Sequence, residues 1–423
     1  MKSTPKTPVK WNKLDNAAKI FPPTSTKRDT KVFRFACELT EPVDPAALQA
    51  ALDRTLECFP IYRSLLKRGL FWYYLEESSL RPLVEEEHDP LCHEIYDRNV
   101  RRLLFEVTYF GCRINLEIYH SLADGTGALH FLRLLVYHYL LGKHPVDPPP
   151  PAPYEASRLQ GADDSFERYY EKNKQKVREE KPRAYRFKGQ KVAENRIRLV
   201  EGRMPVRAVI EKAHEYDATL TSFMTAALIC AISDVMSVRD KSRPVVITLP
   251  VNLRQYFFSE SSRNFFSVFE VSHDFSKQGG AFSDVVAHVT ESFRRELTAE
   301  RMRLRMNKLA AIEHNVFARA VPRVLKDPVL RAANKITDRG ITAALSNIGR
   351  VDMPAELAGY IRRFDVFTST ERLQICMCSY GGELVVSFTS AFESMEVQKN
   401  FFRFLAELGV PVTIVTPPDG DAE

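Results

Sequence analysis

The sequence H-S-L-A-D-G-T-G, residues 120–127, joins two runs of different character. The run before it, I-N-L-E-I-Y, is typical of a strand, and the run after it is so rich in apolar residues that we predict a largely buried helix ending at Gly142. The octet is therefore predicted to be a tight strand-to-helix loop. It places His120 where a sheet meets a crevice, and strand ends are common places for reactive groups.

The residue types in this loop suggest acid–base chemistry. An exposed imidazole titrates near neutral pH and can remove a proton from a hydroxyl, amine or thiol. Asp124 could order the loop or the ring, and Gly125 and Gly127 permit backbone angles that other residues resist. No nucleophile turn accompanies them, which favours direct transfer with His120 as general base. The alternative is a histidine capping a strand and an aspartate capping a helix. The H-x-x-x-D spacing alone favours that alternative; the complete octet favours chemistry.

The length and composition of the chain indicate a soluble protein of more than one domain. The chain of 423 residues is too long for one typical core, and 44% hydrophobic with 27% charged residues is ordinary for a globular protein. A net charge of +6 suggests acidic ligands such as phosphates but does not indicate nucleic-acid binding. The N-terminus has no apolar core, and the longest apolar stretch, 223–232, is shorter than the ~20 residues of a membrane span.

The cysteines fit a cytoplasmic location. Seven of them are scattered along the chain, as unpaired thiols in a reducing compartment would be. Only Cys376 and Cys378 are close, and on a strand they would point the same way. No second Cys/His pair lies nearby, so we predict no metal site.

Strands and helices mix in both halves of the chain. Alternation predicts a strand at 31–39, and helical spacing predicts a helix over 45–58 with Asp44 as N-cap. The proline-rich run at 145–155 is predicted to be an extended crossover. The basic stretch 167–191 is interpreted as a solvated helix and loop, with a phosphate-facing patch as the alternative. The pattern then repeats, with one long helix from 282 to about 320. This predicts an α/β sandwich, twice. Motifs of nucleotide folds and α/β-hydrolases are absent from the sequence.

The octet resembles the H-x-x-x-D-G signature of the acyltransferase superfamily that includes chloramphenicol acetyltransferase, the condensation domains of non-ribosomal peptide synthetases, and plant and alcohol acetyltransferases. The strongest similarity is to bacterial alcohol-acetyltransferase-like proteins, and it extends over nearly the whole chain. Further stretches support it in family order: L-D-N-A-A-K-I-F-P-P (14–23), A-L-D-R-T-L-E-C-F-P-I-Y-R-S-L-L (51–66), L-P-V-N-L-R-Q-Y-F (249–257), R-N-F-F-S-V-F (263–269) and L-S-N-I-G-R-V-D-M-P (345–354).

The resemblance implies an architecture and a reaction. We expect two chloramphenicol-acetyltransferase-like α/β subdomains, 1–165 and 191–423, joined by a basic linker at 166–190, with an active-site tunnel between them. His120 would be the general base in mid-tunnel, reached by the acyl thioester from one side and the acceptor from the other. Acyl-CoA would be the co-substrate, with no permanently bound cofactor and no metal.

The resemblance also implies roles for the loop. Asp124 would point away from the substrate and brace the loop through an arginine salt bridge, as a buried carboxylate needs. Arg63, preceded by Tyr62 where condensation domains have Leu-Arg, is the candidate partner. Gly125 would serve the turn.

Further residues are expected around the tunnel. Ser346 and Asn347 are candidate donors to the thioester oxyanion, or acceptor-site residues; a polar strand-end turn is the alternative. Asn252 and Arg254 would line the tunnel or hold the domain interface, and a structural role is favoured for Arg254.

Two departures from the resemblance narrow the function. Tyr119 stands where condensation domains have a second histidine, which argues against a peptide-synthetase role. H-D-F-S-K-Q-G-G, 273–280, does not match the D-F-G-W-G motif of plant enzymes. We therefore expect transfer to an alcohol. A carrier-bound donor, an amine acceptor, a non-catalytic binding module and a thioester hydrolase remain alternatives, and the oligomeric state stays open.

Overall fold

The computed structural model describes residues 11–155, 164–171, 183–314 and 321–415, and for 309–314 it describes the backbone alone. Two hydrophobic cores organise these residues. The first is built mainly from the N-terminal part of the chain, and the second from residues after 165. No described helix combines the length and hydrophobicity that a membrane span requires.

The strands form three sheets. A three-stranded sheet has the order β1-β4-β3, a five-stranded sheet the order β12-β2-β7-β6-β5, and a seven-stranded sheet the order β10-β9-β11-β13-β14-β8-β15. The strands are β1 (Trp11–Lys13), β2 (Val32–Leu39), β3 (Ser64–Arg68), β4 (Tyr73–Glu77), β5 (Val84–Glu86), β6 (Phe105–Phe110), β7 (Arg113–Tyr119), β8 (Arg198–Pro205), β9 (Val245–Asn252), β10 (Phe266–His273), β11 (Ala343–Arg350), β12 (Ile361–Thr368), β13 (Leu373–Tyr380), β14 (Glu383–Ser390) and β15 (Thr413–Val415).

Helices cover the two larger sheets. The buried helix predicted after the octet packs in the first core against the helix that Asp44 caps, and the Thr219-capped helix packs in the second. The helices are α1 (Phe21–Thr24), α2 (Pro45–Cys58), α3 (Gly125–Lys143), α4 (Ser165–Tyr169), α5 (Val206–His214), α6 (Leu220–Asp234), α7 (Phe282–Glu296), α8 (Ala299–His314), α9 (Arg323–Asp338) and α10 (Glu396–Glu407).

One strand crosses between the halves of the chain. β12 comes from the C-terminal half, yet it pairs antiparallel with β2 along the edge of the five-stranded sheet, from Ile361 opposite Leu39 to Thr368 opposite Phe33. The next strand, β13, returns to the seven-stranded sheet. The division into 1–165, 166–190 and 191–423 stays a prediction, and residues 172–182 of the expected basic linker lie outside the described residues.

Two predicted features of the helices were wrong, and one helix was not predicted. Gly142 does not end α3, because it has helical geometry and the helix continues to Lys143. The single helix expected from 282 to about 320 is two helices, since Leu297 leaves the helical conformation at φ −92 and ψ 56. Helix α9 was not predicted at all, because Pro328 interrupts its pattern; the helix accommodates this proline in its second turn.

Candidate active site

The octet folds as a short turn between β7 and α3. His120 follows the last residue of β7, and its backbone N–H donates to the Lys31 carbonyl at 2.8 Å. The Asp124 side chain caps α3 by accepting from the Gly127 N–H at 2.9 Å. An aspartate at this position satisfies a backbone donor that the first helical turn leaves free. The predicted strand–turn–helix is therefore confirmed.

The two glycines of the octet are needed for close packing. Neither Gly125 nor Gly127 has a positive φ angle, so the predicted freedom of backbone angle is not their reason. A Cβ on Gly127 would lie 1.9 Å from the backbone oxygen of Ser262, in the other half of the chain. A Cβ on Gly125 would lie 3.0 Å from Cδ1 of Ile348. The glycines let α3 approach backbone and side chains of the C-terminal half.

Asp124 is held by an arginine, but not by Arg63. Arg254 Nη1 donates to Asp124 Oδ2 at 2.8 Å, and the backbone N–H of Phe265 donates to the same oxygen at 2.7 Å. Both charged side chains are less than one-tenth exposed. Arg254 Nη2 also donates to the carbonyls of Ser261 and Arg263, at 2.8 and 2.6 Å. Arg254 thus joins the octet to the loop before β10, a structural role of the kind favoured for it from the sequence.

The prediction that Arg63 pairs with Asp124 was wrong. Its side chain is exposed at the end of the turn Pro60–Arg63, because the preceding Tyr62 occupies the buried direction. Tyr62 stacks on Phe131 of α3 with ring centroids 4.4 Å apart, and it packs beneath the loop. The sequence therefore identified the right segment and the wrong side chain.

The tautomer of His120 follows from its contacts with Asn264. The Asn264 amide nitrogen donates to Asp15 Oδ2 at 3.2 Å and to the His120 carbonyl at 3.1 Å. Because the carbonyl can only accept, the amide oxygen must face His120 Nδ1, which lies 3.1 Å away. Nδ1 therefore carries the proton. Nε2 keeps its lone pair and makes no hydrogen bond to another described residue.

Asp15 stands behind Asn264 and is buried. Its Oδ1 accepts from the Ala18 N–H at 2.8 Å, and Arg263 Nε lies 3.7 Å from Oδ2. Desolvation raises the pKa of Asp15 to about 6, although Arg263 opposes the shift. The hydrogen-bonded series Asp15–Asn264–His120 thus runs from the N-terminal segment through the C-terminal half to the imidazole.

Aromatic rings enclose the imidazole. Phe21 stacks on it with centroids 4.4 Å apart, Phe33 meets it edge-on at 4.9 Å, and Phe266 lies tilted at 5.6 Å. Burial among these rings lowers the pKa of His120, while the carboxylate of Asp124 acts in the opposite direction. The ring is therefore neutral at neutral pH, which is the form that accepts a proton.

His120 opens into a cavity of about 610 Å³ between the two halves of the chain. Asp124, Gly125, Asn252, Ser346 and Asn347 also line it, whereas Arg254 lies behind its wall. Most of the wall is apolar, and both halves contribute to it. These apolar residues are Phe33, Phe35, Leu249, Val251, Phe266, Phe269, Phe293, Leu297, Leu345, Val366 and Phe367.

Polar side chains of β11 line the same cavity as His120. The Asn347 amide donates to Thr221 Oγ1 at 2.8 Å, and its oxygen accepts from the Gly349 N–H at 2.9 Å. This local bond coincides with a bulge in the pairing of β11 with β13, where Gly349 has a φ of +86°. The Ser346 hydroxyl makes no hydrogen bond to another described residue and is available to a ligand. Asn252 accepts from the Arg254 N–H at 3.0 Å.

Several residues of the site were missed from sequence. Asn264 and Phe266 lie in the R-N-F-F-S-V-F stretch. Asp15 and Phe21 lie in L-D-N-A-A-K-I-F-P-P. Both stretches had been matched to the superfamily, so the signal lay in the matched segments. The contacts themselves join residues more than a hundred positions apart and leave no local pattern.

One group outside the cavity has the spacing of metal ligands. Asp89, His93 and Glu106 place their ligand atoms within 4.8 Å of one another. Both His93 nitrogens already face carboxylates, Nδ1 with Asp89 at 3.1 Å and Nε2 with Glu106 at 2.8 Å, and Arg102 pairs with Glu106. The group is thus a compensated ion-pair network.

Solved structures match the chain along nearly its full length, although no protein-family profile and no curated protein matches its sequence. The trichothecene 15-O-acetyltransferase TRI3 from Fusarium sporotrichioides is 10% identical with a TM-score of 0.68, covering 94% of each chain. TRI101 from F. sporotrichioides, solved with coenzyme A and T-2, is 12% identical with a TM-score of 0.63, covering 95% of this chain and 99% of its own. The first condensation domain of the CDA synthetase is 17% identical with a TM-score of 0.57, covering 93% of each. The chain therefore has the two-subdomain α/β fold shared by these acetyltransferases and condensation domains, as the sequence resemblance predicted.

Proposed function

We propose that the protein transfers an acyl group from acyl-CoA to the hydroxyl of an alcohol, with His120 as the general base. The observation that carries this proposal is the orientation of one ring. His120 holds its Nδ1 proton toward Asn264 and lines the cavity with Nε2 unoccupied by any described residue. The fold shared with TRI101, which was solved with coenzyme A and T-2, supports the substrate classes.

The reaction needs only one proton carrier. His120 Nε2 removes the hydroxyl proton as the acceptor oxygen attacks the thioester carbonyl, and a tetrahedral intermediate forms. When the intermediate collapses, the C–S bond breaks, and the leaving thiolate takes the proton back from the imidazolium. The products are an ester and free CoA. The acyl group never becomes attached to the protein, which agrees with an imidazole that makes no hydrogen bond to any cysteine or serine among the described residues.

One group of the site would stabilise charge, and a neighbouring group would hold it in position. The Ser346 hydroxyl lines the cavity with no described partner, so it can donate to the developing oxyanion. Asn347 is already bonded at both ends of its amide, to Thr221 and Gly349, and its role is to hold the strand end. We assign Ser346 to the oxyanion and Asn347 to its positioning.

The wall of the cavity favours apolar substrates. Its aliphatic and aromatic side chains come from both halves of the chain. An acyl chain and an apolar acceptor can therefore each contact apolar side chains in the cavity. A histidine base serves an amine as well as a hydroxyl, and a carrier-bound thioester presents the same carbonyl as acyl-CoA. These two alternatives differ from the proposal in substrate alone.

The first experiment measures free thiol released from a panel of acyl-CoAs, with and without a mixture of alcohols and amines. We expect acceptor-dependent release that falls by roughly 10²- to 10⁴-fold in His120→Ala, the usual contribution of a general base. His88→Ala is the matched control, because His88 is 64% exposed at a distance from the cavity.

The same assay separates the alternatives. Equal release with and without acceptors would identify a thioester hydrolase. Release from a carrier-bound thioester but from no acyl-CoA would identify a condensation-type donor. Wild-type rates in His120→Ala would overturn the assignment of the base and favour a binding module.

A further inference from the structure

Helix α9 turns its apolar side outward. Val324, Leu325, Val329 and Ile336 are 71%, 62%, 67% and 67% exposed, and their spacing places them on one side of the helix. The opposite side is polar and faces inward. There Asp327 is buried and accepts from Tyr73 at 3.0 Å and from Arg323 at 2.7 Å. A surface helix normally has the reverse orientation.

A neighbouring turn extends the apolar surface. Leu70 and Phe71, between β3 and β4, are 70% and 42% exposed. The Arg323 N–H donates to the Leu70 carbonyl at 2.8 Å, which fastens this turn to the start of α9. We call the six side chains the α9 patch: Leu70, Phe71, Val324, Leu325, Val329 and Ile336. Single exposed apolar residues need no explanation, but a contiguous group of this kind marks an interaction surface.

The exposed charges on α9 itself have one sign. The exposed charged residues of α9 and its end are Arg331, Lys335 and Arg339, all basic. The two acidic residues point away from solvent: Asp327 is buried, and Asp338 is half-buried and accepts from Asn334 at 3.1 Å. An apolar face bordered by Lys and Arg is typical of helices that lie in the surface of an anionic bilayer.

Helix α9 is linked to the candidate base through α1. Arg331 Nε donates to the Pro23 carbonyl of α1 at 2.8 Å, and Phe21 of the same short helix stacks on His120 at 4.4 Å. The short helix α1 therefore contacts both α9 and the imidazole.

We propose that the α9 patch docks the protein on an anionic lipid surface, with α9 lying flat in the headgroup region. The patch is the convex outer side of a helix, which suits a fluid surface better than a pocketed partner. Its apolar residues would enter the acyl boundary, and its basic border would meet lipid phosphates. The inference goes beyond the proposed function and does not depend on it, because docking requires no turnover.

The test is sedimentation of the full chain with vesicles of phosphatidylcholine and phosphatidylglycerol in equal parts, and with vesicles of phosphatidylcholine alone. We expect binding to the anionic vesicles that weakens by about tenfold or more in the double variant Leu325→Ser/Val329→Ser. The matched control is Val238→Ser/Phe258→Ser, whose side chains are 91% and 71% exposed elsewhere and whose loss should leave binding unchanged. Circular dichroism melts confirm that each variant is folded.

Three results would overturn the proposal: no binding of the wild type to anionic vesicles, equal binding of the Leu325→Ser/Val329→Ser variant, or a wild-type dimer that this variant converts to a monomer. The last would make the α9 patch an interface between two copies. His120→Ala should bind vesicles as the wild type does, so that loss of acyl transfer and loss of docking can be told apart.

Discussion

Asn264 determines which nitrogen of His120 is available to a substrate. Its oxygen fixes the Nδ1 proton, and its nitrogen is committed to the His120 carbonyl and to Asp15. We expect Asn264→Ala to lower kcat by about 10- to 100-fold with little change in KM, a size usual for a group that orients a functional histidine. Steady-state kinetics check this. Asn334→Ala, on the surface helix α9, is the control. A change confined to KM would show that Asn264 contacts substrate instead.

The pH profile of kcat/KM should fall on its acid side (the acid limb) at a pH below the ordinary pKa of histidine. Burial lowers the pKa of His120, and the active base is the neutral ring. We therefore expect kcat/KM to be flat through neutral pH and to fall about tenfold per pH unit below the lowered pKa. The hydrogen bond to Asn264 raises the pKa of His120, so Asn264→Ala should move the limb to still lower pH.

Asp15 provides the check on that interpretation. Its pKa of about 6 places its own ionisation near the same limb. In Asp15→Asn, the limb should persist, since His120 still titrates. A profile that becomes flat in Asp15→Asn would mean that Asp15, and not His120, is the group observed.

The sequence predicted residues within a motif and missed contacts between motifs. His120, Asp124 and the start of α3 follow from eight consecutive residues, because strand, turn and cap are local. The partner of Asp124 is 130 positions away; the resemblance implies Arg63, and Arg254 is the arginine in contact. Asn264 stood in a matched stretch, but only the fold brings its amide against the ring.

At the scale of elements, the approach of α3 to the C-terminal half depends on one glycine. Gly127 lies against Ser262, whereas Gly142 on the same helix faces open space. Gly127→Ala should destabilise the protein by several kcal/mol and lower activity, since backbone must move to admit the methyl group. Gly142→Ala should stabilise it by about 0.5–1 kcal/mol, because alanine has the higher helix propensity. Thermal and urea unfolding measure both. Equal effects at the two positions would contradict the packing argument.

Helices and strands with a regular hydrophobic periodicity were predicted from the sequence, whereas those whose periodicity is interrupted were not. β2 and α2 follow from alternation and capping visible in the sequence. The break at Leu297 has no glycine or proline to announce it, and α9 contains a proline that ordinarily argues against a helix. The orientation of α9 is a further reason why the sequence did not predict it correctly. The apolar residues of this helix are exposed and do not pack in a core, so their pattern predicts burial that does not occur.

At the scale of the whole molecule, the halves are joined by more than a linker. β12 completes the N-terminal sheet, and the buried pair of Asp124 and Arg254 links the octet to the loop before β10. Removing the C-terminal half would leave β2 with an open edge and Asp124 buried without its partner, and removing the N-terminal half would leave β12 unpaired and Arg254 without its carboxylate. We therefore expect both halves to unfold together, although chains of this length often unfold in separate steps.

The two tryptophans make that expectation measurable. Trp11 and Trp72 both lie in the N-terminal half, so their fluorescence reports on that half, whereas far-UV circular dichroism reports on the whole chain. The urea transitions followed by the two signals should coincide. Phe364→Ala, which opens a cavity in β12, should move both midpoints together, with a loss of about 3–5 kcal/mol in the free energy of unfolding. Arg207→Ala, a substitution in an exposed ion pair with Glu211, should move neither midpoint appreciably. Separate midpoints for the two signals would show that β12 detaches before the N-terminal sheet melts, and that the cavity closes only when the halves are docked.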